Sequence, residues 1–277
     1  METIDYKSKK AGKEFSDSLH NTGFAILNNH PINYFEIATI YKEWELFFNN
    51  KQKYTYTFNP KSQDGYFHYC SENAKGFIEK DLKEFYHFYE WGNNPKEISG
   101  ETKMLFHKLM AVGRELLIWI DANTPKSIKS NFSMPLFEMI QKSRKNLLRI
   151  IHYPPLKAEI TNGSILAAEH GDINLITILP AGSQPGLQVL TKDGQWVDVK
   201  CNPGWLVINT GDMLQECSKG YYPSTIHRVI NPKGKLKSKS RFSMPLFIHP
   251  RDEVQLSKRY SVNSFLNKRL REIGLKN

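Results

Sequence analysis

His170-Gly171-Asp172 places an imidazole and a carboxylate two residues apart, so in an extended segment both side chains point to one side and converge on a single ion. Such a triplet arises often by chance and carries little weight alone. The weight comes from His227, which lies in a predicted strand, Thr225 to Ile230, later in the same region. Two histidines and one carboxylate form the facial set that holds non-haem Fe(II) and leaves positions open for a bidentate 2-oxo acid and O2. Arg241-Phe242-Ser243 follows His227 by fourteen residues, again with two polar side chains on alternate positions. A planar two-donor guanidinium plus a hydroxyl suits a carboxylate. The plain alternative is a surface arginine, because Lys233, Lys235, Lys237 and Lys239 precede it; the apolar run Phe242 to Ile248 argues for carrying Arg241 inward.

Other candidates read as structural. His152 lies beside Tyr153, and alternation turns it to the opposite side. His20, His30, His68, His87, His107 and His249 have no partner at a useful spacing. Asp212, in Asn209-Thr210-Gly211-Asp212, reads as a turn-capping carboxylate bonded to nearby backbone N–H groups. Tyr66, Phe67, Tyr69, Phe85, Tyr86, Phe88 and Tyr89 could line a substrate pocket but read as core.

The elements that must position these residues change character along the chain. Phe35 to Phe48, and Leu105, Leu109, Val112, Leu116 and Ile120, have the three-to-four spacing of buried helix faces. Gly23 to Leu27 is a short apolar strand closed by the turn Asn28-Asn29-His30-Pro31. Tyr54 to Pro95 is irregular with short strands. From Asn146 onward come seven β-branched and aliphatic runs: Leu147 to Tyr153, Leu175 to Leu179, Leu187 to Leu190, Trp196 to Val199, Trp205 to Ile208, Thr225 to Ile230 and Phe242 to Ile248. Many short strands without helices between them indicate an antiparallel sandwich or barrel such as a jelly roll. Val262 to Leu275 returns to helical spacing.

The 277 residues, 40% hydrophobic and 24% charged, fit a packed protein with a sizeable core. Met1 to Lys10 is polar where a signal peptide is apolar, and no run is long enough for a membrane span, so a cytoplasmic protein is expected. Cys70, Cys201 and Cys217 are odd in number and lack CxxC spacing, which suggests free thiols. The net charge of +10 gathers at Lys7 to Lys13, Lys233 to Lys239 and Lys268 to Arg271. These clusters read as solvated ends and a loop, without the interleaved aromatics of a single-strand track, so no specific nucleic-acid partner is expected.

Several landmarks occur in one order: His170-Gly171-Asp172, Gly186-Leu187-Gln188-Val189, Trp196, Asn209-Thr210-Gly211-Asp212-Met213-Leu214, Ser224-Thr225-Ile226-His227-Arg228-Val229 and Arg241-Phe242-Ser243. With Ile151-His152-Tyr153-Pro154-Pro155 upstream, Gly23-Phe24 leading into Asn29-His30, and a final segment Phe265 to Leu275, the chain resembles the isopenicillin N synthase-like branch of the 2-oxoglutarate and Fe(II)-dependent dioxygenases. The resemblance runs over nearly the full chain and is strongest over 147–250.

It implies a mainly β fold with packed helices, built on a double-stranded β-helix (jelly roll). One dioxygenase domain spans 1–277, with a helix-rich N-terminal region over 1–125, the iron-bearing core over 146–250 and a C-terminal helix over 258–277. His170, Asp172 and His227 would be the iron ligands. Arg241 and Ser243 would bind the distal carboxylate of 2-oxoglutarate, with the Tyr153 hydroxyl beside them. No other side chain need act as an acid or base. The cofactors implied are Fe(II), 2-oxoglutarate as cosubstrate, O2 and, as a candidate reductant, ascorbate. The reaction implied is oxidation of a small-molecule substrate, chiefly hydroxylation, with release of succinate and CO2. Desaturation or ring closure can use the same site, and the primary substrate and oligomeric state stay open.

Two departures stand out: Ile151-His152-Tyr153-Pro154 where the family often has Asn-Tyr-Tyr-Pro, and Asn29-His30-Pro31 where it has Asn-His-Gly. The rival readings are a same-family oxidase that needs no 2-oxoglutarate, a nucleic-acid repair dioxygenase, and a non-catalytic jelly-roll binding protein or zinc-containing cupin. The repair branch carries a second Arg six residues after the first, where this chain has Phe247.

Overall fold

In the computed structural model, which describes residues 2–72, 80–156, 166–200, 202–232 and 234–272, helices form where apolar positions recur every three to four residues. They are α1 (Ala11–Thr22), α2 (Tyr34–Asn49), α3 (Glu101–Asn123), the short α4 (Lys126–Lys129), α5 (Leu136–Met139) and α6 (Asp212–Cys217), and the final α7 (Val262–Glu272). Asn33 caps α2 by accepting from the Phe35 amide at 2.8 Å. α1 ends at Gly23, whose φ of 71° closes the helix in the left-handed conformation that Gly adopts most easily. A Cβ there would also meet the Pro223 carbonyl at 2.5 Å, so Gly23 lets α1 close on the segment leading to His227. The α3 residues Leu105, Leu109, Val112, Leu116 and Ile120 are all buried. Each such side chain contributes roughly 1.5–3 kcal/mol of transfer free energy.

Thirteen strands are named among the described residues: β1 (Thr3–Asp5), β2 (Phe24–Asn28), β3 (Gly65–Phe67), β4 (Glu84–Phe88), β5 (Leu147–Tyr153), β6 (Ala167–His170), β7 (Ile176–Pro180), β8 (Leu187–Leu190), β9 (Trp196–Asp198), β10 (Leu206–Thr210), β11 (His227–Val229), β12 (Arg241–Ser243) and β13 (Leu246–Ile248). The large sheet runs β1-β2-β10-β7-β13-β5-β4-β3, with β12 also paired to β5; the small sheet runs β6-β11-β8-β9. All named pairings are antiparallel except β1 with β2.

Alternation divides the large sheet into two faces. Leu148 and Ile150 of β5 pack into the main core with α2 and α3, whereas Ile151 and Tyr153 join Phe85, Leu166, Ala167 and Val229 between the sheets. A second inter-sheet cluster joins Phe24, Ile26 and Val207 of the large sheet to Val189 of the small one. Two facing sheets around one interior make this a jelly roll, with the helices against the outer face of the larger sheet.

Three expectations need correction. The single run Phe242 to Ile248 is two strands, because Pro245 has no N–H for a ladder; its carbonyl instead accepts from the Arg149 amide at 3.0 Å. β6 ends at His170, so Asp172 lies in the following loop and its placement does not come from strand pleating. The final helix starts at Val262, where the helical spacing begins, so the first residues of the wider 258–277 span are not helical and follow a bridge between Gln255 and Ser261. Met1, Lys157 to Ser164, Cys201, Lys233, Ile273 and Leu275 lie outside the described residues. Among those described, Cys70 and Cys217 are free thiols. No helix there is long and apolar enough to cross a membrane.

Candidate metal centre and carboxylate site

Pairing of β6 with β11 sets His170 directly opposite His227, with ring centroids 4.5 Å apart. The Asp172 Oδ1 atom lies 4.0 Å from His170 Nε2 and 3.8 Å from His227 Nε2. These separations are too long for hydrogen bonds, and one potential ligand atom from each residue lies within 4.8 Å of the others. Both rings are oriented by their other nitrogen. His170 Nδ1 sits 2.7 Å from the Ala168 carbonyl and His227 Nδ1 3.2 Å from the Thr225 carbonyl. A carbonyl only accepts, so Nδ1 carries the proton and the Nε2 lone pair stays free.

Asp172 is held from the other sheet. Its Oδ2 accepts from Thr177 Oγ1 on β7 and from Asn209 Nδ2 on β10, the latter at 2.8 Å, leaving Oδ1 toward the histidines. Burial and the neighbouring His227 push the His170 pKa down to about 4. Burial raises that of Asp172, but the two histidines and the bonds from Asn209 and Thr177 outweigh it and hold the carboxyl below its ordinary range. His170 is therefore neutral and Asp172 anionic at neutral pH, the states a metal requires of its ligands.

Neither Thr177 nor Asn209 was expected at this site, although each is a polar residue in an otherwise apolar strand. Asn209→Ala is expected to lower Fe(II) affinity roughly 10–100-fold, as removal of an outer partner of a ligand commonly does, with the circular dichroism spectrum unchanged. An Fe(II) titration that matches the unaltered protein would reject this role.

The loop carrying Asp172 is pinned by the start of α6. Asp212 N donates to Asp172 O at 2.7 Å, Met213 N to Asn174 O at 3.1 Å, and Gly211 N to Leu175 O at 2.9 Å. A Cβ on Gly211 would lie 2.1 Å from the Asn174 carbonyl oxygen, so a side chain there drives the loop outward. Gly211→Ala should cost about 1–3 kcal/mol of stability and weaken Fe(II) binding, both read in one thermal melt series with and without metal. An unchanged melt would show that the loop is not pinned in this way.

Asp212 is not the turn cap expected of it. Backbone carbonyls of the loop take the local amides, and its carboxylate accepts from Arg269 of α7, from Nε at 2.9 Å and also from Nη2. The sequence alone shows Arg269 only as one cation of the basic end Lys268 to Arg271.

Register places Arg241 opposite Tyr153 and Ser243 opposite Ile151, all facing between the sheets. Arg241 is 4% exposed, its Nε donates to Gln184 O at 3.2 Å, and its guanidinium carbon lies 5.0 Å from the Tyr153 ring centroid. Arg241 Nη1 is buried and has no hydrogen-bond partner among the described residues. An unpaired buried guanidinium edge is costly, and a carboxylate answers it. Buried Ser243 adds a hydroxyl on the same face. This chemistry fits one end of a dicarboxylate whose other end reaches a metal. His152 faces away as expected: its Nδ1 lies 2.8 Å from Glu84 Oε1, its Nε2 lies 3.0 Å from Ser240 Oγ, and its ring stacks on Phe242 at 4.6 Å.

A family model described as the 2OG-Fe(II) oxygenase superfamily matches residues 144–250, and one described as the N-terminal region of non-haem dioxygenases in morphine synthesis matches residues 2–107. A flavonol synthase/flavanone 3-hydroxylase from Petunia hybrida is 30% identical over 270 residues, covering 91% of this chain and 73% of that one. A 2-oxoglutarate-Fe(II) type oxidoreductase from Aspergillus fumigatus is 31% identical over 122 residues, covering 44% of this chain and 35% of its own length. The crystal structure of a Shewanella oneidensis protein provisionally assigned as an oxygenase is 49% identical and covers 99% of both chains with a TM-score of 0.90.

Proposed function

The chain belongs to the 2OG-Fe(II) oxygenase superfamily, and from that membership we propose that it is a non-haem Fe(II)- and 2-oxoglutarate-dependent dioxygenase that oxidises a small molecule, chiefly by hydroxylation. The carrying observation is the unpartnered, buried Nη1 of Arg241 in the same inter-sheet interior as His170, Asp172 and His227. In this reading the whole of 1–277 works as one unit in the cytoplasm, without a specific nucleic-acid partner.

His170, Asp172 and His227 would hold the metal. Fe(II), when bound there with 2-oxoglutarate and O2, supplies an oxidant for a C–H bond as succinate and CO2 are released. Arg241 orients the distal carboxylate through its two-donor edge, with Ser243 and Tyr153 beside it. Thr177 and Asn209 keep Asp172 ionised and aimed. Phe85, Ile151, Leu187 and Val229 form an apolar wall that keeps water from the reacting atoms. No side chain in this scheme takes a proton from the substrate.

The test is anaerobic reconstitution with Fe(II), addition of 2-oxoglutarate and O2, and a screen of amino acids, peptides and small metabolites for stimulated succinate release. Succinate formation that depends on both iron and 2-oxoglutarate is expected. Iron-loaded protein that yields none with any compound would overturn the reading.

A further inference from the structure

Alternation along β5 puts Arg149 on the same inward face as Ile151 and Tyr153. Its register partner on β4 is His87. On the other side Phe247 of β13 pairs with Leu147, two residues from Arg149, and also with Thr177, the residue that donates to Asp172. Arg149 thus stands on the wall that carries Arg241, toward its opposite end, and the register leads from its strand through Phe247 to Thr177, which donates to Asp172. Its side chain keeps 21% of its exposure, whereas Leu148 and Ile150, which face the helices, are fully buried.

The guanidinium carbon lies 4.6 Å from the Phe85 ring centroid and 5.6 Å from that of Phe247, so aromatic rings cover it and an edge is left. Nε donates to His87 Nε2 at 3.1 Å and Nη1 to Glu72 Oε2 at 3.3 Å. His87 Nδ1 faces the Gln63 carbonyl at 3.2 Å, which leaves Nε2 as an acceptor. Burial and the Arg149 charge keep His87 neutral. Arginine has five N–H donors, and three of these have no partner among the described residues. Glu72 is shared: Lys83 Nζ holds it more closely, at 2.8 Å, and also holds Asp81 at 2.8 Å. Two cations, Lys83 and Arg149, thus share two carboxylates, Glu72 and Asp81, so the charges of the cluster balance and what Arg149 offers a ligand is its unused N–H donors.

We propose that Arg149 selects the primary substrate, its free guanidinium edge binding the carboxylate of a small organic acid whose planar or apolar body lies against Phe85 and Phe247. This deepens the dioxygenase reading and rests on it. A cationic group brings no acceptor to the Arg149 edge and is disfavoured there. A neutral amide satisfies the same edge less strongly than a carboxylate, which accepts two parallel N–H bonds.

The experiment is equilibrium binding of benzoate and its neutral analogue benzamide to the Fe(II)-loaded full chain, without O2 and at saturating 2-oxoglutarate so that Arg241 is occupied. The unaltered protein should prefer benzoate. Arg149→Gln should lose roughly tenfold to a hundredfold in benzoate affinity, the worth of a charged hydrogen bond, while benzamide changes little and the acid-to-amide ratio falls toward one. Arg149→Lys, which keeps the charge, should be intermediate, and it carries the test alone should the Gln variant not fold. Equal benzoate affinity in the unaltered and variant proteins, a preference for benzamide, or no benzoate binding overturns the proposal. Absence of 2-oxoglutarate binding in the unaltered protein would instead bring down the dioxygenase reading, and the acid-to-amide comparison can still be made without it.

Discussion

His227→Ala should abolish Fe(II) binding and 2-oxoglutarate turnover together while the sheets persist. His227 sits opposite His170 and 3.8 Å from the Asp172 carboxylate, so its removal leaves two potential ligands from two sheets. Even an outer partner of a ligand is worth roughly 10–100-fold in metal affinity, so loss of a ligand should cost more than about a hundredfold. The imidazole also meets the Phe24 ring edge-on at 5.7 Å, so a modest drop in melting temperature should accompany the loss. Asp172→Ala should match it in metal binding and be less stable, because Thr177 and Asn209 then keep buried polar groups without an acceptor. Anaerobic Fe(II) titration with circular dichroism separates metal loss from unfolding. Near-normal affinity in His227→Ala would remove it from the ligand set.

Arg241→Ala should raise the 2-oxoglutarate concentration needed for half-maximal succinate release by roughly tenfold to a few hundredfold. A charged hydrogen bond contributes about 1.5–3 kcal/mol, and an unpaired buried carboxylate costs more, at about tenfold per 1.4 kcal/mol. Arg241→Lys keeps the charge without the fork and should be intermediate. Ser243→Ala and Tyr153→Phe should do less. Fe(II) affinity should stay level throughout, because none of these residues faces the His–Asp cluster as a ligand. Should the unaltered protein oxidise a substrate without 2-oxoglutarate, or Arg241→Ala titrate as the parent does, Arg241 is not the cosubstrate anchor and the oxidase reading takes precedence.

Short runs of β-branched and aliphatic residues were legible as strands from residue types alone: Leu147–Tyr153 and Leu187–Leu190 have the bounds expected. The trio His170, Asp172 and His227 was legible by type and order, yet the reason expected for their convergence was incomplete. Asp172 is aimed by Thr177, Asn209 and the α6 amides, all set by which strands become neighbours, which no local spacing encodes. Arg149 and His87 lack any spacing relation and meet only through β4–β5 register. Arg269 was hidden for a similar reason: on the helix alone it is one cation among several, and only the docking of α7 gives it Asp212. Pro245 was visible in the sequence, but apolar neighbours on both sides masked its effect.

The candidate ligands are divided between the sheets, with both histidines on β6 and β11 and the carboxylate secured to β7 and β10. Any ion they share would therefore link the two sheets, closing a chain loop from residue 172 to residue 227. A cross-link of that span removes freedom from the unfolded chain as well as adding bonds to the folded one. Metal occupancy then governs more than chemistry. An ion held there would favour the folded form, so protein loaded with Fe(II) is expected to melt at a higher temperature and resist proteolysis better than the metal-free form.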